Sequence, residues 1–225
     1  MISKSIIEQI IDCNINNEEI YQQAFMHKSA SPESLESNER LEFIGDSVLG
    51  LVVTSYLYEK YPNENEGFLT RIRTKLVSGK ALYKIAENLH FFKYITMNEK
   101  GMKNEWYKNP RILEDSLEAF IGSIYLDLGL NVATQFIHRN IIVKLDNDSL
   151  LEDNNYKDIL MRYVQGRKMN LPEYRLNESI NDNNKLFTVQ IYLQGKFVSE
   201  GSHKVKKQAE QISAKRTLQC FNIVK

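Results

Sequence analysis

Cysteine is scarce in this chain: two residues, Cys13 and Cys220, stand near opposite ends of a 225-residue sequence. They share no C-x-x-C spacing, which argues against a disulfide framework or a thiolate zinc site and fits a reducing, cytoplasmic setting. The four histidines do not cluster with them, so nothing competes for zinc or copper. Long apolar runs are also missing. Met1 to Ile11 is interrupted by Lys4 and Glu8 and is too short and too charged for the core of a signal peptide; an amphipathic first helix is the expectation, and no membrane partner. No later run is long enough to span a bilayer. There is no internal repeat and no low-complexity tract.

What is present is the make-up of a soluble globular protein, 26% charged and 42% hydrophobic, long enough for one large domain or two smaller ones. The formal net charge is zero, but it is unevenly shared. Residues 1–150 hold 16 basic and 21 acidic side chains; residues 151–225 hold 13 basic and 8 acidic. The basic end suits a polyanion, and the acidic body suits metal cations.

Apolar residues recur at helical spacing through Ile6 to Ile11, Leu41 to Tyr58, Leu82 to Leu89 and Ile112 to Leu128. Turn chemistry at Ser31-Pro32, Tyr61-Pro62-Asn63 and Asn109-Pro110 separates these stretches. The polar stretch from Asp146 to Asn155 reads as a linker. Beyond it, Tyr156 to Gln165 looks helical and a strand is expected near Glu173 to Asn177. Phe187, Val189, Ile191 and Leu193 then alternate with polar neighbours as in a half-buried strand. Gln194-Gly195-Lys196 turns the chain into Phe197-Val198-Ser199, and helical spacing returns from Lys204 to Phe221. The order predicts an all-α domain followed by an α+β domain, α-β-β-β-α, with two helices covering the sheet.

On a helix, Glu39, Glu42 and Asp46 fall at i, i+3 and i+7 and share a face. A charged face is ordinarily a solvated one. Here Leu41, Phe43, Ile44, Val48, Leu49, Leu51, Val52 and Val53 surround it almost completely, which predicts a buried helix whose acids must be neutralised, paired or metal-bound. A second apolar helix repeats the feature with Asp115 and Glu118 at i, i+3. Facing each other, the two helices would build an all-oxygen cage suited to Mg²⁺ or Mn²⁺. Glu66, after the Asn63 to Asn65 turn, is expected to lean in from a loop. Such a cage with two divalent ions suits phosphodiester hydrolysis, and no small-molecule cofactor is called for.

Asn38 to Leu49 resembles, nearly letter for letter, the signature of the ribonuclease III family, and the resemblance runs over essentially the whole chain. Ala24 to Ser29 is similar to an early helical segment of that family. Glu66-Gly67, Thr70 to Arg73, Leu76-Val77 and Leu113 to Ala119 match its later blocks. Gly166-Arg167, Leu171 to Tyr174 and Lys206 to Gln211 resemble a double-stranded-RNA-binding domain. The resemblance implies a catalytic domain over 1–147, a linker over 148–155 and an RNA-binding domain over 156–225. It implies that Glu42, Asp46, Asp115 and Glu118 are metal ligands and that Glu39 and Glu66 are accessory acids. Asp46, Glu118, Glu39 and Glu66 would serve catalysis. The implied enzyme is a homodimeric endonuclease that cuts double-stranded RNA, leaving a 5′ phosphate and a short 3′ overhang, with Phe43 inserted into the partner. By itself Phe43 reads as an ordinary core residue, and His27 as a structural histidine. Arg71, Arg73 and Lys75 suit either phosphates or the carboxylates.

Lys204, Lys206 and Lys207 stand at the expected start of the last helix, where the dipole and open N–H groups favour phosphate. Other positions depart from the family pattern: Met161 and Arg162 replace a Gln-Glu pair, Asn183 a His, His203 a Gly and Val205 a Ser. Binding should therefore lean on phosphates and fall steeply with salt. Two competing readings are a protein that sequesters duplex RNA without cutting it and an RNA-assembly factor; the intact acids favour the nuclease.

Overall fold

A computed structural model describes residues 1–30, 36–146, 155–181 and 184–224. It divides into two compact units, Met1–Leu151 and Glu152–Lys225. The expected turn at Ser31-Pro32, the departure at Asn183 and all of the expected linker 148–155 except Asn155 fall outside the described residues.

The first unit is helical: α1 (Lys4–Ile11), α2 (Glu18–Ala24), α3 (Glu39–Lys60), α4 (Glu66–Leu76), α5 (Gly79–Asn88), α6 (Glu99–Lys103) and α7 (Pro110–Asn140), with short 3₁₀ turns at Phe91–Lys93, Trp106–Lys108 and Ile142–Asp146. Asparagine opens many of these helices. The side chains of Asn17, Asn65, Asn98 and Asn109 each accept from a backbone N–H in the first turn that follows. Pro110 stands at the first position of α7, where its missing N–H costs nothing. Ala24 to Ser29 departs from the expected helical segment. Helix α2 ends at Ala24, and Met26 forms an isolated parallel bridge with Thr96. Glu66 likewise lies on a helix, as the first residue of α4, because Asn65 caps it.

Helices α3 and α7 cross at the centre with their backbones touching. A Cβ on Gly45 would lie 1.8 Å from the Glu118 carbonyl oxygen, and one on Gly122 would lie 2.2 Å from that of Leu41. Only glycine permits so close an approach. Around the crossing Leu49, Val53, Leu57, Leu113, Leu117, Ile121 and Ile124 are buried. Phe120 is the aromatic hub, with ring centroids of Tyr21, Phe25, Phe91 and Phe136 at 5.6, 5.8, 5.1 and 5.6 Å. The Asp127 carboxylate accepts from the Asn16 and Asn17 N–H groups and from the Tyr21 hydroxyl, at 3.0, 3.1 and 3.0 Å, and so ties the N-terminal segment to α7. Contrary to expectation, α3 and residues Pro110–Leu145 are long and apolar enough to cross a membrane, each with mean hydropathy 1.2. Their apolar side chains instead make most of this core.

The second unit runs α8 (Tyr156–Gly166), β1 (Glu173–Asn181), β2 (Asn184–Leu193), β3 (Lys196–His203) and α9 (Lys206–Cys220), with antiparallel strands in the order β1-β2-β3. This is the expected α-β-β-β-α order. Ile191 and Leu193 point to one face of the sheet and pack with Leu160 and Val164 of α8 and Ala214 and Leu218 of α9. Strand β1 is longer than expected, and Lys204 precedes α9 rather than lying in it.

Candidate active site

Four of the predicted acids come from the two crossing helices. Glu42 and Asp46 are one turn apart on α3; Asp115 and Glu118 are one turn apart on α7. The touching glycines bring these two stretches together. Glu42, Asp115 and Glu118 each offer an oxygen, and the three oxygens lie within 4.8 Å of one another. Asp46 stands beside them. With Glu39, Glu42, Phe43 and Glu118 it lines a hollow of about 400 Å³.

The acids are not sealed in an apolar interior as the helix pattern predicted. Glu39 and Asp46 are exposed, and Glu42, Asp115 and Glu118 are half-buried at a rim. The premise fails because α3 is apolar on its outer face too: Phe43, Leu51 and Tyr58 are 77%, 56% and 72% exposed. A helix apolar all round thus presents an open stripe to solvent in the single chain.

Crowding and partial burial act together on these acids. Burial, then Asp46, Glu114, Glu42 and Asp115, push Glu118 up to about 8. Burial also raises Glu42, with Asp115 and Glu39 adding to it, and raises Asp115 against the pull of Arg111, Lys28 and His27. A raised carboxyl pKa in such a cluster marks a place where a cation would be welcome. Hard oxygen donors at this spacing could hold a metal ion, and their chemistry suits a hard divalent one.

Glu39 is held by Lys28, whose Nζ lies 3.1 Å from its carboxylate. Glu66 is not brought to the cluster. Its carboxylate accepts from the Thr70 hydroxyl at 2.7 Å, and among the described residues it joins neither the oxygen triad nor the hollow beside Asp46. His27 sits at the edge: its backbone N–H donates to the Thr96 carbonyl and its ring Nδ1 lies 2.9 Å from the Ser29 hydroxyl. Burial and Lys28 hold its pKa down. On α4, Arg73 donates to the Thr54 hydroxyl and the Arg71 guanidinium stands over the Phe68 ring.

Residues that sequence reasoning did not single out also line the site. Glu114, Arg111, Lys80 and Tyr83 border a larger cleft with Glu42, Asp115 and Glu118. Glu114 had a signal, since it adjoins Asp115 in the matched block. Lys80 and Tyr83 had none, because only the packing of α5 on α7 brings them near.

In the second unit Lys206 and Lys207 open α9 and Lys204 precedes it; all three are exposed. Val205 occupies the N-cap and supplies no side-chain acceptor. Its N–H is taken by His203 Nδ1 at 2.9 Å. Met161 shares a groove with Lys206 and Lys207, and Arg162 pairs with Asp158 at 3.0 Å.

Together these are the parts of a helical nuclease that carries its own module for double-stranded RNA. Residues 17–145 match the family described as ribonuclease-III-like, and residues 156–219 match the double-stranded RNA binding motif. The chain belongs to the ribonuclease III family of double-stranded-RNA endonucleases. It is 38% identical to ribonuclease 3 of Listeria innocua, over 92% of this chain and 93% of that one. It is 39% identical to putative protein A464R of Paramecium bursaria Chlorella virus 1, over 99% of this chain and 81% of that one. Among solved structures it resembles the nuclease domain of ribonuclease III from Campylobacter jejuni, in which a region is involved in dimer formation. That match has a TM-score of 0.57 and 36% identity and covers 61% of this chain and 98% of the other.

Proposed function

We propose that this endonuclease hydrolyses the phosphodiester bonds of double-stranded RNA by two-metal chemistry with Mg²⁺, for which Mn²⁺ can substitute, and leaves 5′ phosphates and short 3′ overhangs. The observation that carries this reading is the oxygen triad of Glu42, Asp115 and Glu118 on two touching helices. When bound, the ions lower the pKa of a water and steady charge on the leaving 3′ oxygen. Glu42, Asp115 and Glu118 gather one ion, and Asp46, facing the adjoining hollow, adds the oxygen that a second would need. Glu39 acts as an accessory acid, and Lys28 sets its position. Lys204, Lys206 and Lys207 grip phosphates from the uncapped start of α9.

The working form is a homodimer in which the exposed Phe43 enters the partner. A large aromatic left 77% exposed beside Leu51 and Tyr58 is the reason. A Phe43→Glu variant that sediments like the parent would remove that assignment.

The test of the reaction is Glu118→Gln. Incubated with long double-stranded RNA in Mg²⁺, the parent should cut and the variant should not, while both bind the duplex. Full cutting by the variant, or intact RNA with the parent, would overturn the proposal.

A further inference from the structure

The cleft bordered by Glu42, Glu114, Asp115 and Glu118 has a second wall of opposite character. Lys80 and Tyr83 of α5 and Arg111 of α7 face those acids across about 790 Å³. Away from the metal ions, carboxylates repel an RNA strand, and the basic side chains of the opposite wall offset that repulsion. Arg111 shares α7 with Glu114 and Asp115 and lines the cleft beside them. Lys80 is exposed, and no carboxylate pairs with it among the described residues.

Its position is built in. A Cβ on Gly79 would lie 2.4 Å from a carboxylate oxygen of Glu114, so the first turn of α5 presses directly onto α7 and carries Lys80 to the cleft. Ser78, the N-cap, lends that turn no side-chain acceptor, and the Glu114 carboxylate packs against it instead.

We infer that Lys80 holds a backbone phosphate of the RNA strand as it leaves the metal centre, so that the α5 wall sets the path of that strand. The inference rests on the nuclease reading and gives the substrate a second point of attachment outside the carboxylates. Lys80 is a positioning residue in this account and takes no part in bond cleavage.

The test uses the full chain, Lys80→Ala and Lys80→Glu variants, and a short RNA duplex with a single cut site. Neutral methylphosphonates replace the flanking phosphates one at a time. KM should rise about tenfold for Lys80→Glu and less for Lys80→Ala, with kcat within about twofold. The slope of log affinity against log salt should fall by about one. One methylphosphonate position should weaken the parent and leave Lys80→Ala unaffected. Mn²⁺ binding without RNA should be unchanged in both variants. An unchanged KM, or equal methylphosphonate penalties in parent and variant, would overturn the inference. So would a KM effect matched by lost Mn²⁺ affinity. A parent that leaves duplex RNA intact would instead sink the nuclease reading beneath it.

Discussion

Glu118 bears the largest electrostatic burden of the cluster, and its titration gives a direct readout of the site. Its pKa, pushed up to about 8, stands above that of an unfolded carboxyl. Its contribution to stability is therefore complete below the ordinary carboxylate range and is lost as pH rises towards and through about 8. In EDTA the Tm of the parent should fall between about pH 5 and pH 8.5 more steeply than that of Glu118→Gln, and excess Mg²⁺ should flatten the difference. Parallel curves for the two proteins would contradict this. At this scale the sequence was informative where spacing alone sufficed. Glu42 with Asp46, and Asp115 with Glu118, share faces by helical arithmetic. Lys80 and Tyr83 were not legible, because their place depends on how Gly79 meets Glu114 across two helices.

Among the elements, the crossing of α3 and α7 decides whether a site exists at all. Gly122→Ala would set a methyl group against the Leu41 carbonyl, and the helices would have to part. Overpacking of this kind against backbone should cost about 3 kcal/mol, read as a lower urea midpoint, and should lower Mn²⁺ affinity together with stability. A stable variant with normal metal binding would show that the two helices need not touch. The pattern of apolar residues located α3, α7, α9 and the second strand. It misplaced what local capping governs, as at Glu66, which Asn65 fixes on a helix. It also equated apolar with buried, and the open stripe of Phe43, Leu51 and Tyr58 shows why that fails. Periodicity reports which faces avoid water and does not report what covers them.

For the whole molecule, the acidic body and the basic end predicted two tasks, and the ribonuclease-III-like match and the double-stranded RNA binding match fall in separate compact units. Joint replacement of Lys204, Lys206 and Lys207 by Ala should weaken binding to duplexes of any sequence and reduce the salt slope by about one for each phosphate no longer neutralised. An unchanged slope in a filter-binding titration would mean that the grip lies elsewhere. The domain order was readable because helical and alternating periods differ so plainly; the expected linker rested on polarity alone, and all of it but Asn155 lies outside the described residues. The tie from Asp127 to Asn16, Asn17 and Tyr21 has a bearing on biosynthesis. The first helices emerge from the ribosome long before their anchor is made. Until α7 follows, the N-terminal segment has nowhere to dock and the acids of α3 have no opposite row. The nascent chain thus passes through a stage at which α3 has no partner helix and the site cannot chelate, and catalysis is withheld until α7 has been synthesised.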